Sequence, residues 1–145
     1  MTGNYRRCGI QFRYPENWTL ADDSLDAFPR TISLQAPTGA FWSVDIHPFS
    51  VDPDELLSQV LEAMRGEYPD LEASVTNEEI AGNPSCGYDL YFCCLDFVVA
   101  CRLRAFHQGH ATYMLTFQAE DREFDQMEPV FQAITHSFFD VNESL

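Results

Sequence analysis

Arg102 and Arg104 come nearest, by type and spacing, to a binding device in this 145-residue chain. Alternate residues of a strand project from one face. Two guanidiniums one step apart therefore offer paired donors to a carboxylate or a phosphate. Thr112, Thr116 and His110 follow in the next apolar segment and fall nearby once the chain folds back. The same pair has a plainer use: among 23 Asp and Glu residues, an arginine finds an internal carboxylate easily. The candidate ligand-binding set is Arg102, Arg104, Thr112 and His110, with a small anion as the implied guest.

The other constellations offer less. Ser43, Asp45 and His47 have the composition of a hydrolytic triad. On one strand face, however, alternate residues stand roughly 6–7 Å apart, which puts Asp45 in the middle and Ser43 about 13 Å from His47. A triad needs the imidazole between the other two, so the expectation is a polar strand face. His107 and His110 flank a tight turn but lack the third and fourth ligands a zinc site requires. Adjacent Cys93 and Cys94 face opposite ways; redox chemistry would need a nearby cation or helix N-terminus. Cys94 is placed on the Arg102/Arg104 face, and inert structural thiols are expected. No catalytic residue, metal or cofactor is assigned.

Composition narrows the partners. The formal charge is −15 and all eight cations are arginine. Such a chain repels phosphate backbones and anionic membrane surfaces, so neither nucleic acid nor membrane is expected as a partner. A basic protein surface remains compatible. The N-terminus has no apolar run resembling a signal peptide, and no stretch approaches transmembrane length. Five cysteines without CxxC spacing suggest a reducing, cytoplasmic setting with no disulfide framework.

The elements that must position these residues centre on 87–119, GYDLYFCCLDFVVACRLRAFHQGHATYMLTFQA. One unbroken strand over 87–106 would be about 65 Å long at roughly 3.3 Å per residue. A globule of this size is only about 35–40 Å across, for a radius of gyration near 15 Å. A reversal is therefore placed at Leu95-Asp96. The next hairpin is assigned a three-residue loop, His107-Gln108-Gly109, pairing Ala105 with Ala111, Leu103 with Tyr113, Cys101 with Leu115 and Val99 with Phe117. That register makes one face wholly apolar and leaves Arg102 and Arg104 on the other; a two-residue loop would oppose apolar to polar residues.

Before this core lie an alternating strand at 8–14, a turn at Pro15-Glu16-Asn17, a core anchor at Trp18 and an acidic loop at 22–29. A hairpin of strands 31–35 and 41–47 follows across Pro37-Thr38-Gly39. Asp52, Pro53 and Glu55 open a helix that runs to Gly66, with an apolar stripe of Leu56, Leu57, Val60, Leu61 and Met64. Residues 71–80 read as a more polar strand near an edge. The final segment, 120–139, carries Phe124, Met127, Phe131, Ile134 and Phe138 at helical spacing. Pro129 places the start of the main helix near Asp125-Gln126. The reading is one α+β domain over 1–145, with about six to seven antiparallel strands.

This order of elements resembles the PsbP-like superfamily. The likeness rests on aromatic-Pro-x-x-Trp at Tyr14 to Trp18, a Gly-x-x-x-Tyr turn at Gly109 to Tyr113, and a final helix closing on Ser137-Phe138. The superfamily includes an extrinsic protein of the photosynthetic oxygen-evolving complex, a Ran-binding nuclear-import factor and bacterial proteins of unassigned function. The resemblance implies a sheet with helices on both sides, an α/β/α sandwich, and action through surfaces rather than chemistry. No functional residue carries over, because the matching positions are core and turn positions. The resulting expectation is a non-catalytic cytoplasmic domain acting by protein–protein contact, self-association included. The alternative is a small-ligand or anion-binding module on the Arg102/Arg104 face, and a hydrolase or redox enzyme ranks third.

Overall fold

A computed structural model describes residues 2–7, 10–22, 30–80 and 82–142. The elements follow in the order β1 (Thr2–Arg7), β2 (Ile10–Pro15), β3 (Thr19–Asp22), β4 (Arg30–Gln35), β5 (Phe41–Pro48), α1 (Pro53–Glu67), β6 (Glu72–Thr76), β7 (Glu79–Ile80), β8 (Asn83–Pro84), β9 (Cys86–Cys94), β10 (Phe97–Gln108), β11 (Ala111–Glu120) and α2 (Asp121–Asn142). Seven strands form one antiparallel sheet in the order β3-β4-β5-β11-β10-β9-β6, and helices flank it. The pairs β1–β2 and β7–β8 stand apart as two-stranded ribbons.

The longest strands, β10 and β11, lie at the centre because their runs carry apolar residues on both faces, as suits strands covered on both surfaces. Successive residues of β10 enter different apolar clusters. Cys101, Leu103 and Ala105 pack with Leu56, Leu57 and Leu61 of α1. Ala100 and Phe106 pack with Phe131, Phe138 and Phe139 of α2. The N-terminal ribbon completes the second cluster: Tyr5 stacks on Phe12, and Phe12 lies 4.9 Å from Trp42, centroid to centroid. Trp18 anchors there too, edge-on to Phe131.

Local signals account for much of this. The Asp52 carboxylate accepts from the Glu55 N–H at 3.3 Å, Pro53 opens α1, and Leu56, Leu57 and Leu61 are its buried residues. The β9–β10 reversal falls at Leu95-Asp96, with Cys94 paired to Phe97. Residues 72–76 form an edge strand, as their polarity suggested. β1 and β3 carry too few apolar residues to stand out in sequence. Residues 8 and 9, 23–29 and 81 lie outside the described residues, and with them Cys8 and most of the acidic loop.

Two expectations are corrected. The β10–β11 hairpin closes through a two-residue turn, Gly109-His110, so that Gln108 pairs with Ala111, Ala105 with Met114 and Leu103 with Thr116. Gly109 does hold a left-handed conformation, φ +61°, but as the first turn residue rather than the third. The shift against the expected register is three residues, an odd number, which exchanges the faces of one strand relative to the other. The expectation required one wholly apolar face. Instead β10 keeps its arginines on one face and β11 keeps Thr112, Thr116 and Gln118 on the other, so each face mixes both kinds.

The second correction is α2, which is continuous from Asp121, with Pro129 in its interior. Pro129 is exposed, so the carbonyl of Asp125 that loses its i+4 donor stays open to water. Packing of Phe124, Phe131, Ile134 and Phe138 on one side outweighs the roughly 3 kcal/mol that an interior proline costs.

Candidate functional site

Arg104 is the most deeply buried charged group among the described residues, 1% exposed. It lies over Gly87, where a Cβ would collide with the Leu103 carbonyl oxygen and crowd Arg104 Cδ. Its Nε donates to Glu78 at 2.6 Å and its Nη2 to Asp89 at 2.7 Å. Its Nη1 donates to the carbonyls of Leu103 and Tyr88, at 2.9 and 3.2 Å. Every guanidinium nitrogen thus has a partner. Glu78 comes from the short connection between β6 and β7, so Arg104 fixes that loop to the sheet.

Arg102 is also engaged. Its Nη1 lies 2.9 Å from Glu128 of α2 and its Nε 3.9 Å from Asp89. Its Cζ sits 4.5 Å above the Phe124 ring, a cation–π contact. Asp89 therefore bridges both arginines, and Arg102 ties the sheet to α2. Chemically the pair acts as an internal clasp, the alternative that 23 carboxylates favoured from the outset. Neither arginine lines the cavity beside Tyr14 and Ser137 or the one beside Leu95 and Phe97.

The other two members of the expected set lie elsewhere. Thr112 packs on the α1-side cluster's face, because the corrected register turns it away from Arg104. Its hydroxyl donates to the Val51 carbonyl at 2.7 Å and contacts His107 Nδ1 at 2.9 Å. A hydroxyl has one proton, so with that proton on the Val51 carbonyl it accepts from His107 Nδ1. His110 occupies the hairpin turn, exposed. The structure brings Arg102 and Arg104 together and brings neither Thr112 nor His110 to them.

Beside Thr112 runs a polar ledge that the sequence showed only as one strand face. Pairing aligns Thr112 with His47, Met114 with Asp45, and Thr116 with Ser43; Thr31 stands opposite Asp45. The Thr31 hydroxyl donates to Asp45 in a short bond of 2.5 Å. Burial pushes the Asp45 carboxyl above its ordinary range, against the lowering effects of Thr31 and His47. Burial likewise lowers His47, opposed by Asp45. Asp45 sits between Ser43 and His47, as expected for a polar strand face, and no group of three metal-ligating side chains occurs among the described residues.

Two of the cysteines fit inert roles. Burial pushes Cys101 up to about 12 and Cys86 up to about 11, far from the thiolate range. Cys94 packs in the α1-side cluster and not with the arginines, because the reversal at Leu95-Asp96 pairs it with Phe97, on the face of β10 opposite to Arg102 and Arg104. Cys93 is exposed.

The feature that sequence reasoning passed over is the β9–β10 tip. Leu95 is 91% exposed, with Phe97 at 48% and Val98 at 44%. Leu95 also holds φ +58° and is the only non-glycine residue with positive φ among the described ones. A hollow of about 300 Å³ adjoins it, lined by Cys94, Leu95, Phe97, Val99, Ala119 and Glu120 among others. The signal available in sequence was the absence of Gly, Asn or Pro at a two-residue reversal.

Comparison with solved structures identifies the architecture. The chain superposes on cyanobacterial PsbP (CyanoP) from Synechocystis sp. PCC 6803 with a TM-score of 0.65 and 12% identity, over 94% of this chain and 90% of that one. A protein of unknown function from Pseudomonas aeruginosa, PA94, described as a putative regulator, gives 0.56 and 13%, over 94% of each chain. A Bacteroides thetaiotaomicron protein gives 0.60 and 11%, over 92% of this chain and 46% of that one. No protein-family model and no curated protein sequence matches the chain. No helix among the described residues is long and apolar enough to cross a membrane.

Proposed function

Because the chain carries the PsbP-like fold, we propose that it is a non-catalytic domain that works by protein–protein contact, made through the β9–β10 tip. The observation that carries this reading is Leu95. A non-glycine residue in the left-handed region costs about 1 kcal/mol, and Gly or Asn would avoid that cost at this turn position. The chain instead keeps a large apolar side chain there, 91% exposed, beside two more half-exposed apolar residues. Strain and exposure together favour a residue retained for what it touches.

The partner's chemistry follows from charge. A protein at −15 with an apolar knob beside Glu120 complements an apolar socket rimmed by Arg or Lys. Two copies of this chain would repel each other, so a different, basic protein is favoured over self-association. Burying one such side chain returns about 2 kcal/mol.

The finer architecture belongs to the same proposal. An α/β/α sandwich is supported by the alternation of β10 residues between the α1 and α2 clusters. A cytoplasmic setting is supported by four free cysteines among the described residues.

The test is site-specific photocrosslinking from position 98 in the native host. A discrete adduct that disappears with Leu95→Asn is the expected result. An adduct pattern unchanged by Leu95→Asn, or none from any tip position, would overturn the proposal. Light scattering that shows a dimer broken by the same variant would replace the basic partner with a second copy.

A further inference from the structure

A second cavity, of about 320 Å³, opens between β2 and α2 and is lined by Tyr14, Pro15, Val130, Ala133 and Ile134, with Thr2, Arg13, His136 and Ser137. Its volume is at the lower end of small-molecule sites, and apolar walls with a few polar groups are their usual make-up. The unusual part is the polar group. Arg7, Arg30, Arg102, Arg104 and Arg122 all lie within bridging distance of carboxylates. Arg6, Arg13 and Arg65 have no carboxylate partner among the described residues; of the three, Arg13 lines this apolar cavity, together with exposed His136. In a chain with 23 Asp and Glu, a cation left unpaired beside an apolar hollow stands out.

The wall is also pre-arranged. Ser137 Oγ accepts from the Arg13 N–H at 2.8 Å and lies 3.3 Å from the Arg13 carbonyl, which pins the backbone of β2 to α2. The Tyr14 ring covers Gly3 so closely that a Cβ there would strike it, which seats the tyrosine as one side of the cavity. Fixing these groups before a ligand arrives reduces what binding must spend on ordering them.

We propose that this cleft binds a small carboxylate with an apolar tail, the tail against Val130, Ala133 and Ile134 and the carboxylate on the Arg13 guanidinium, with His136 alongside. Net negative charge elsewhere does not oppose it, because a short-range charge-assisted bond dominates at contact while exposed charges beyond about 8–10 Å are screened at ordinary ionic strength. The site stands apart from the β9–β10 tip, and it places an anion-binding role at Arg13 rather than at the fully engaged Arg104.

The experiment is an NMR titration of the full chain with octanoate, and in parallel with 1-octanol as the uncharged isostere. Expected are saturable shifts at Tyr14, Ala133 and Ile134, with octanoate binding about tenfold more tightly than octanol. Arg13→Gln, an exposed change that leaves the core intact, should weaken octanoate about tenfold and leave octanol unchanged. Ala133→Trp, also from an exposed position, should block both. The proposal is overturned if octanoate gives no saturable shift, if the two ligands bind alike, if Arg13→Gln binds octanoate normally, or if the shifts centre elsewhere.

Discussion

The single strand β10 carries opposite extremes of the molecule. At its middle, Arg104 is a fully buried charge with a partner for every nitrogen; at its start, Phe97 and Val98 with the preceding Leu95 are apolar groups left in water. By residue type the arginines look functional and the leucine turn looks like a connection. The environments reverse this. A polar group whose demands are met inside the protein has nothing left to offer a ligand, whereas an apolar group that is both strained and exposed has free energy to recover on contact.

The sharpest way to break the comparison is Arg104→Ala. It strips Glu78 and Asp89 of their cation and opens a void over Gly87. A destabilisation of about 3 kcal/mol is expected, at the lower end for buried pairs because both carboxylates reach solvent. Urea unfolding should show it as a lower midpoint with unchanged slope. A neutral result would mean that the pair is not structural and would reopen the ligand reading. Next in size is Gly87→Ala, whose methyl has no room against the Leu103 carbonyl; about 2 kcal/mol of destabilisation is expected by the same measurement.

At the tip the signs separate. Leu95→Gly relieves a left-handed φ worth about 1 kcal/mol but adds freedom to the unfolded chain. Stability should therefore stay level or rise by up to about 1 kcal/mol, while contact with the partner weakens by about 2 kcal/mol, roughly thirtyfold. A variant that loses binding while folding at least as well would isolate function from structure. If Leu95→Gly instead unfolds more easily, the leucine has a packing role and the tip loses its claim.

How far the sequence revealed this depended on whether one face or two were buried. Where one signal sufficed, element and position agree: Asp52-Pro53 for α1, the length limit that forces a reversal at Leu95-Asp96, and the aromatic spacing of α2. The β10–β11 register failed because β10 and β11 are apolar on both faces, so alternation no longer distinguishes a two-residue turn from a three-residue loop. That one error carried Thr112 to the arginine face; Cys94 was misplaced separately, since a reversal at Leu95-Asp96 already pairs it with Phe97, on the other face. β1 escaped notice because only Tyr5 of its six residues is buried. The pairing of Arg104 with Glu78 and Asp89 joins residues 26 and 15 positions apart; the β9–β10 register brings Asp89 and the β6–β7 connection brings Glu78, and neither arrival is marked by a local pattern. The exposure of Leu95 had no sequence signal beyond its being an odd choice for a turn.

Between the satisfied arginine and the exposed leucine stands Asp45, partly buried and held by one short bond from Thr31. It gives the finest test of how completely this sheet satisfies its polar groups. Burial raises its carboxyl above the reference value of 3.8. The folded state therefore binds more protons than the unfolded state between 3.8 and the raised value, and stability falls as pH rises through that window. His47 acts in the other direction: lowered from 6.5, it costs stability as pH falls below 6.5. Asp45→Asn keeps an oxygen for Thr31 and removes the ionisation. The variant should match the parent at acid pH and gain on it as pH rises past 3.8. Thermal midpoints of both proteins across this range measure the difference, and parallel curves would show that the ledge solvates Asp45 as well as water does.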